Sequence, residues 1–357
     1  MSSKYLPLIG LAAVIGLMHG AAQATGNIYH LTQLTMTAYY SLLAIGLCML
    51  IGYAGQISLG HAGFFAIGGY VSAFLTTWDL SPHKGTAFVS ALLKTGILGT
   101  RPDLYGGQLI SFNPWAACVL AVLTAACVGF LIGGPVLRLK GHYLAMATLG
   151  FGIIIYRIVL GSSALGAADG ITDVPAFRII PGVEITGKAS GRIVNYYAAW
   201  AAVLIGMTFL VNLIHSRVGR ALAAIHGAED ASDAMGIPTA AYKLRVFVLS
   251  AVYAAVAGVL LTHYNGGIGP SEASVMKSVR YVAIVAIGGM ANLWGTLLMS
   301  LVFNYLSLRG SFGSYDDAVF GAILILIMLF APEGLLRRGI LRDLKSLFLP
   351  ASGKEAS

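Results

Sequence analysis

The residues best able to do chemistry in this chain sit close together. Residues 52–70 read GYAGQISLGHAGFFAIGGY, and Gln56, Ser58 and His61 interrupt an otherwise apolar run that also holds six glycines. A plain lipid-facing helix has no use for that mixture. Glycine lets backbones approach closely or leave helical geometry, and polar residues at membrane depth face a cavity or another helix. Two readings stand side by side. These side chains line a path for a polar solute, or they satisfy backbone groups freed where a helix breaks. Gly68 and a second pair, Gly288 and Gly289, join the candidates, because Ala-Ile-Gly-Gly recurs at 66–69 and 286–289. Paired glycine-interrupted segments can mark a transporter's site, although coincidence in a glycine-rich chain explains four residues equally well.

Other chemistry is scarce. No Ser/His/Asp set and no paired carboxylates are assignable, and no metal-ligand spacing appears. Cys48, Cys118 and Cys127 lie in apolar runs, so they read as small packing residues. A phosphate-binding loop requires G-x-x-x-x-G-K-[ST]. The stretch Gly182-Val183-Glu184-Ile185-Thr186-Gly187-Lys188-Ala189 ends in alanine and lacks the magnesium-binding hydroxyl. No cofactor is therefore assigned to this chain.

Composition says what must position these residues. Of 357 residues 57% are hydrophobic and 10% charged, with a mean hydropathy of +0.82. A soluble domain cannot hide so much apolar surface, so the chain is an all-α polytopic membrane protein. Its net charge of +8 is spread over short connections. That pattern sets topology and does not point to nucleic acid. Apolar runs fall near 5–24, 28–52, 57–77, 113–137, 142–161, 195–214, 244–264, 278–308 and 315–332. Basic residues place three sites inside: Arg138 and Lys140; His215, Arg217, Arg220, Lys243 and Arg245; and Arg337, Arg338, Arg342 and Lys345. Lys4 agrees at the start. One crossing per run leaves the basic tail outside. Breaking 278–308 at Gly288–Asn292 into two short passes restores it and makes ten membrane-entering segments, preferred over nine, with breaks near 52–63 and 288–292.

Residues 1–27 form a first helix with a signal-like Ala22-Gln23-Ala24, residues 28–340 the main domain, and 341–357 a tail inside. The long outer connections are 78–112 and 162–194, with a short interfacial helix expected within 86–98. Arg157 reads as snorkelling to the outer interface, His263 and Tyr264 as interfacial, Asn304 as interhelical glue, and Asp316-Asp317 as the last outer turn.

The inner loop 215–243 reads HSRVGRALAAIHGAEDASDAMGIPTAAYK. Residues 228–235 suit a short helix with Glu229 and Asp230 in its first turn, a small apolar face from Ala231, Ala234 and Met235, and stops at Gly236 and Pro238. Such a helix fits a partner's groove. An ordinary solvated connection is the bland alternative.

This loop resembles the coupling-helix motif of ABC importer permeases of the LivM type. Gly219-Arg220-Ala221 and Met235-Gly236-Ile237 match the residues bracketing that helix. The resemblance extends to residues 55–62 and 67–70, to Gly141–Leu149, to Gly288-Gly289 with Leu293-Trp294-Gly295, and to Pro332-Glu333-Gly334-Leu335. It covers roughly residues 30–340. It implies that Gly219, Arg220, Glu229, Asp230, Asp233, Met235 and Gly236 serve ATPase coupling. It also implies a second, LivH-type permease subunit, two ATP-binding cassette subunits holding ATP and magnesium, a periplasmic substrate-binding protein, and a bacterial inner membrane with the C-terminus cytoplasmic. The cargo implied is a branched-chain amino acid or a relative's urea, amide or aromatic acid. The chain departs from the family at His226-Gly227-Ala228, where basic and acidic residues are usual. It departs again at Leu165–Gly170, a reduced form of an outer glycine motif. The rival classes are a secondary transporter or channel, which needs intramembrane charges that the predicted spans nearly lack, and a membrane enzyme, which needs a catalytic set.

Overall fold

The computed structural model describes residues 5–84, 86–102, 108–139, 141–180, 182–311 and 313–330. Lys4, Lys140, the 332–335 motif and the basic tail lie outside them. The bundle is built from α1 (Leu6–Ala24), α2 (Tyr29–Cys48, continued by a π-helical segment Met49–Tyr53), α3 (His61–Thr77), α5 (Pro114–Val136), α6 (His142–Gly161), α7 (Arg192–Ile214), α10 (Thr239–Asn265), α11 (Val275–Gly288), α12 (Leu293–Leu308) and α13 (Asp316–Phe330). Short helices α4 (Ala87–Lys94), α8 (Arg217–Gly227) and α9 (Glu229–Ala234) lie in the connections.

The segment reading holds where it was least obvious. Residues 278–308 do split: α11 ends at Gly288 and α12 starts at Leu293. At 1.5 Å per residue the two helices are only about 21 and 24 Å long, each short of a bilayer's roughly 30 Å hydrocarbon core. The 57–77 run becomes helical only at His61, and residues 55–60 form a break of their own. Among the described residues six helices are long and apolar enough to cross a membrane: α1, α2 with its π segment, α5, α6, α7 and α10.

Burial separates the centre from the rim. The apolar window of α2 is 94% buried, against 17% for α1 and 28% for α5 and α6. A helix apolar all round belongs in the interior, and α2 sits there against α7, α10, α11 and α12. Two of its inward-facing hydroxyls bond directly. Thr35 donates to the Leu31 carbonyl, and Ser41 donates to Ser300 of α12 at 2.9 Å. The rim helix α5 carries Ala117, Ala121, Ala125, Gly129 and Gly133 four residues apart, all buried. That small-residue stripe lets it press on α3 and α10, while Val119, Leu123, Phe130 and Leu131 stay exposed to the apolar surroundings. The closest packing joins α3 to α10. A Cβ on Gly258 would overlap the Phe65 carbonyl, and one on Gly68 would lie 2.5 Å from Ala255 Cα.

The connections opposite α8 and α9 are more structured than expected. The anticipated interfacial helix is α4, at 87–94. It leads into an antiparallel hairpin of β1 (Leu98–Pro102) and β2 (Gln108–Phe112). Strand β3 (Ile171–Thr172) pairs with β6 (Gly267–Ile268), and β4 (Phe177–Ile180) with β5 (Val183–Ile185). The near-match to a phosphate loop thus lies on β5 and the turns beside it. Two placements are corrected. His263 is not interfacial but 1% exposed, bonded to Ser72 at 2.8 Å and to the Pro175 carbonyl at 2.7 Å, and Tyr264 is buried beside it. Asn304 does not bridge helices; its amide returns to Ser300 in its own helix at 2.9 and 3.0 Å.

Candidate functional site

The break at residues 55–60 is held by its neighbours. Gly55, at φ +67°, turns the chain out of the π segment. The freed Leu59 N–H donates to Thr148 Oγ1 of α6 at 3.0 Å, and Ala62 N–H donates to Ser278 Oγ of α11 at 3.1 Å. Satisfying freed backbone groups therefore falls to Thr148 and Ser278, neither of which was a candidate site residue. His61, fully buried, spans the break instead, with Nδ1 3.1 Å from Ser58 Oγ and Nε2 2.8 Å from Ser250 Oγ of α10. Gln56 is 2% exposed, and its side-chain nitrogen and oxygen have no hydrogen-bond partner among the described residues. Of the three polar candidates it alone makes no side-chain hydrogen bond among the described residues.

The two breaks touch. A Cβ on Gly52 would lie 2.6 Å from Ala291 Cα, so glycine is required for the end of α2 to seat against the α11–α12 turn. That turn has Gly289 at φ +97° and Ala291 at φ +63°, and Asn292 caps α12 by accepting from Gly295 N–H at 3.1 Å. Gly288 packs against Thr296, where α11 and α12 cross. Gly68 is a helix-packing residue on α10, so the two Ala-Ile-Gly-Gly copies occupy unlike positions, one inside a helix and one ending a helix.

Helix α8 abuts the same junction, and α9 packs on α8 and α10. Sequence reading missed α8, which Ser216 caps by accepting from Val218 N–H at 3.1 Å. Leu222 and Ile225 are its buried face, and Gly219 lets it press on the Ile214 carbonyl end of α7. His226 lies against Gly55; a Cβ there would come within 2.8 Å of His226 Nδ1. The short helix α9 spans Glu229–Ala234, within the expected bounds, and Gly236 at φ +84° ends it. Glu229 forms an ion pair with Lys243 of α10, and Asp233 accepts from Thr239 at 3.4 Å. Both acids therefore tie α9 to α10. Arg220, Asp230, Ala231, Ala234 and Gly236 are exposed, and Met235 is 85% exposed.

A third cluster was not foreseen. The α10–α11 connection folds a short 3-10 turn, Pro270–Ala273, against α3 and α6. It brings Glu272 to Tyr40, the twelfth of the 25 residues from Tyr29 to Tyr53. Tyr40 is thus about 16 Å along α2, near its middle. Lys277 donates to Glu272 Oε1 at 2.6 Å and to Tyr40 at 3.2 Å. Arg280 donates to Ser307 at 3.1 Å and lies 3.9 Å from Asp316, to which Ser307 is also bonded. Glu272 falls between the apolar runs and Asp316 reads as part of the last outer turn, so neither stands out in the sequence as an intramembrane charge.

Together these features define a polytopic α-helical membrane protein with two helix breaks in contact, a short helix presented at one end and a charged cluster half-way along its central helix. Among the described residues no group of three or more metal-binding side chains occurs. The chain belongs to the family of branched-chain amino acid transport system permease components, whose model matches residues 29–328. It is 30% identical over 323 residues to the high-affinity branched-chain amino acid permease protein LivM of Salmonella typhimurium, covering 85% of this chain and 68% of that one. LivH of Escherichia coli is 29% identical, covering 87% of this chain and 96% of its own. BraD of Pseudomonas aeruginosa is 26% identical, covering 87% and 97%. No solved structure matches.

Proposed function

We propose that this chain is a transmembrane subunit of an ATP-binding cassette importer that takes up branched-chain amino acids or a related small polar solute. It pairs with a LivH-type permease subunit in a bacterial inner membrane. Two ATPase subunits, which hold ATP and magnesium, dock on the cytoplasmic end that carries α8 and α9. A periplasmic substrate-binding protein delivers cargo at the hairpin end, and the C-terminus is cytoplasmic. This chain hydrolyses nothing.

The observation that carries the reading is the seating of the coupling helices on the helix breaks. The α9 surface of Ala231, Ala234 and Met235 is exposed, α9 is tied to α10 through Glu229 and Lys243, and α8 presses on Gly55. Gly52 then meets Ala291. A push on α9 therefore reaches two interrupted helices through direct contacts. Interrupted helices are the elements able to take discrete alternative arrangements during alternating access.

The test is Met235→Asp in the co-expressed complex. At an exposed site it should change stability by less than about 0.5 kcal/mol. We expect ATP-driven uptake to fall at least tenfold, with loss of ATPase subunits from the purified complex or of cargo-stimulated hydrolysis. Wild-type uptake with the ATPases still attached would remove α9 from the coupling role. Glu272 at mid-depth favours a second reading, a secondary transporter. Uptake driven by a proton gradient without ATP would select it.

A further inference from the structure

The cluster at the middle of α2 has the chemistry of a binding site. It joins two cations, Lys277 and Arg280, to two anions, Glu272 and Asp316, whose side chains are 25%, 18%, 16% and 25% exposed. A cavity of about 60 Å³ opens among Tyr40, Lys277, Arg280, Tyr281, Asn304 and Ser307. A space of that size admits a small ionic group but not an aliphatic side chain, and Glu272 and Asp316 stand behind its lining, paired with Lys277 and Arg280.

The bonding is incomplete on both signs. Glu272 Oε1 carries the contacts to Lys277 and Tyr40, while Glu272 Oε2 is buried without a hydrogen bond. Asp316 Oδ1 is likewise unbonded. Tyr281, 1% exposed, lines the cavity with its hydroxyl unbonded. Lys277 has three N–H donors, and two are directed at Glu272 and Tyr40. Buried polar groups normally find partners, and ionisable groups at membrane depth mark substrate pathways.

We propose that this cluster is a transit site for the head group of a zwitterionic α-amino acid. The Lys277 and Arg280 side chains with the Tyr281 hydroxyl, which line the cavity, take its carboxylate, and its ammonium lies toward Glu272, the carboxylate paired with Lys277. The cargo side chain projects out of the small cavity. The proposal rests on the importer function above and adds to it the residues that recognise the charged end of the cargo. It selects amino acids over urea or neutral amides, because only a solute carrying both charges can replace the Lys277–Glu272 ion pair that its entry loosens.

The experiment compares Glu272→Gln, Lys277→Met and the double variant in the complete complex reconstituted in vesicles, with ATP-driven leucine uptake as the readout. Co-purification of the partner subunits reports folding. Each single variant should lose at least tenfold in uptake, and so should the double variant, because both halves of the head-group site are gone. A purely structural ion pair behaves differently: removing both charges together relieves the orphaned partner, and uptake returns toward wild type. Recovery in the double variant therefore overturns the site. If a neutral variant fails to assemble, Glu272→Asp preserves the charge and moves it by one methylene. A several-fold rise in the leucine concentration for half-maximal uptake supports the site, and an unchanged value overturns it. Absence of ATP-driven uptake in the wild-type complex is a separate result, which overturns the importer function and this inference together.

Discussion

Adding a single methyl at Gly52 tests whether the two helix breaks must touch. In Gly52→Ala the new Cβ would sit 2.6 Å from Ala291 Cα and overlap Ala291 N. An ordinary carbon–carbon contact needs about 3.5 Å, so the end of α2 and the α11–α12 turn must separate by about 1 Å. The turn gives poorly, because Gly289 and Ala291 already hold left-handed conformations and Asn292 caps α12. Overpacking of this kind costs about 1–3 kcal/mol. The lower entropy of alanine in a helical segment returns about 0.5–1 kcal/mol. The net loss is therefore about 0–2.5 kcal/mol. Gly150→Ala in α6 is the control, since nothing lies within 4 Å of its added Cβ and the same substitution should stabilise by about 0.5–1 kcal/mol. Thermal unfolding of the purified complex should rank Gly150→Ala above wild type and Gly52→Ala below it by a few degrees, on the order expected per kcal/mol. ATP-driven uptake should fall in Gly52→Ala alone. If Gly52→Ala matches the control in both assays, the contact between the breaks is not required and the reasoning fails.

Three further outcomes follow from the same packing. His61→Phe keeps the ring volume but removes the bonds to Ser58 and Ser250; it should cost about 1–3 kcal/mol in thermal stability while leaving the half-saturating cargo concentration unchanged, whereas a rise in that concentration would place His61 on the path. Lys243→Met releases Glu229, 31% exposed, from its ion pair; global stability should fall by less than about 1 kcal/mol, and cargo-stimulated ATP hydrolysis should drop several-fold if the brace on α9 matters. Gly258→Ala would push α10 off the Phe65 carbonyl; it should reduce yield of folded protein and lower the melting temperature, and a wild-type melting temperature would contradict the close α3–α10 packing.

Much of the scaffold was legible because the membrane constrains it. Runs of apolar residues must become helices when no water is present to satisfy the backbone, and basic residues count the crossings. The split of residues 278–308 came from that count before any geometry was known, and α11 and α12 carry it out. The bounds of α9 were legible from its acidic first turn and the Gly236 stop. The hairpins β1–β2 and β4–β5 were not, because strands of three to five residues leave too little pattern to read.

The roles of the polar side chains were decided only by tertiary contact. Residues 52–70 announced a break through composition, but their spacing could not say that Thr148 and Ser278 would satisfy its backbone or that His61 would bond Ser250, 189 positions away. His263 looked interfacial because it ends an apolar run; β4 and Pro175 fold over it and bury it. Glu272 lies between the apolar runs 244–264 and 278–308, which by hydropathy makes it part of a connection. The 3-10 turn that follows β6 carries it to the middle of α2, beside Tyr40 and Lys277. Sequence by itself fixed where the chain enters the membrane, since that depends on the hydropathy of consecutive residues. Which charges share a cavity at mid-depth depends on how far a connection sinks between helices, and only the packed bundle sets that.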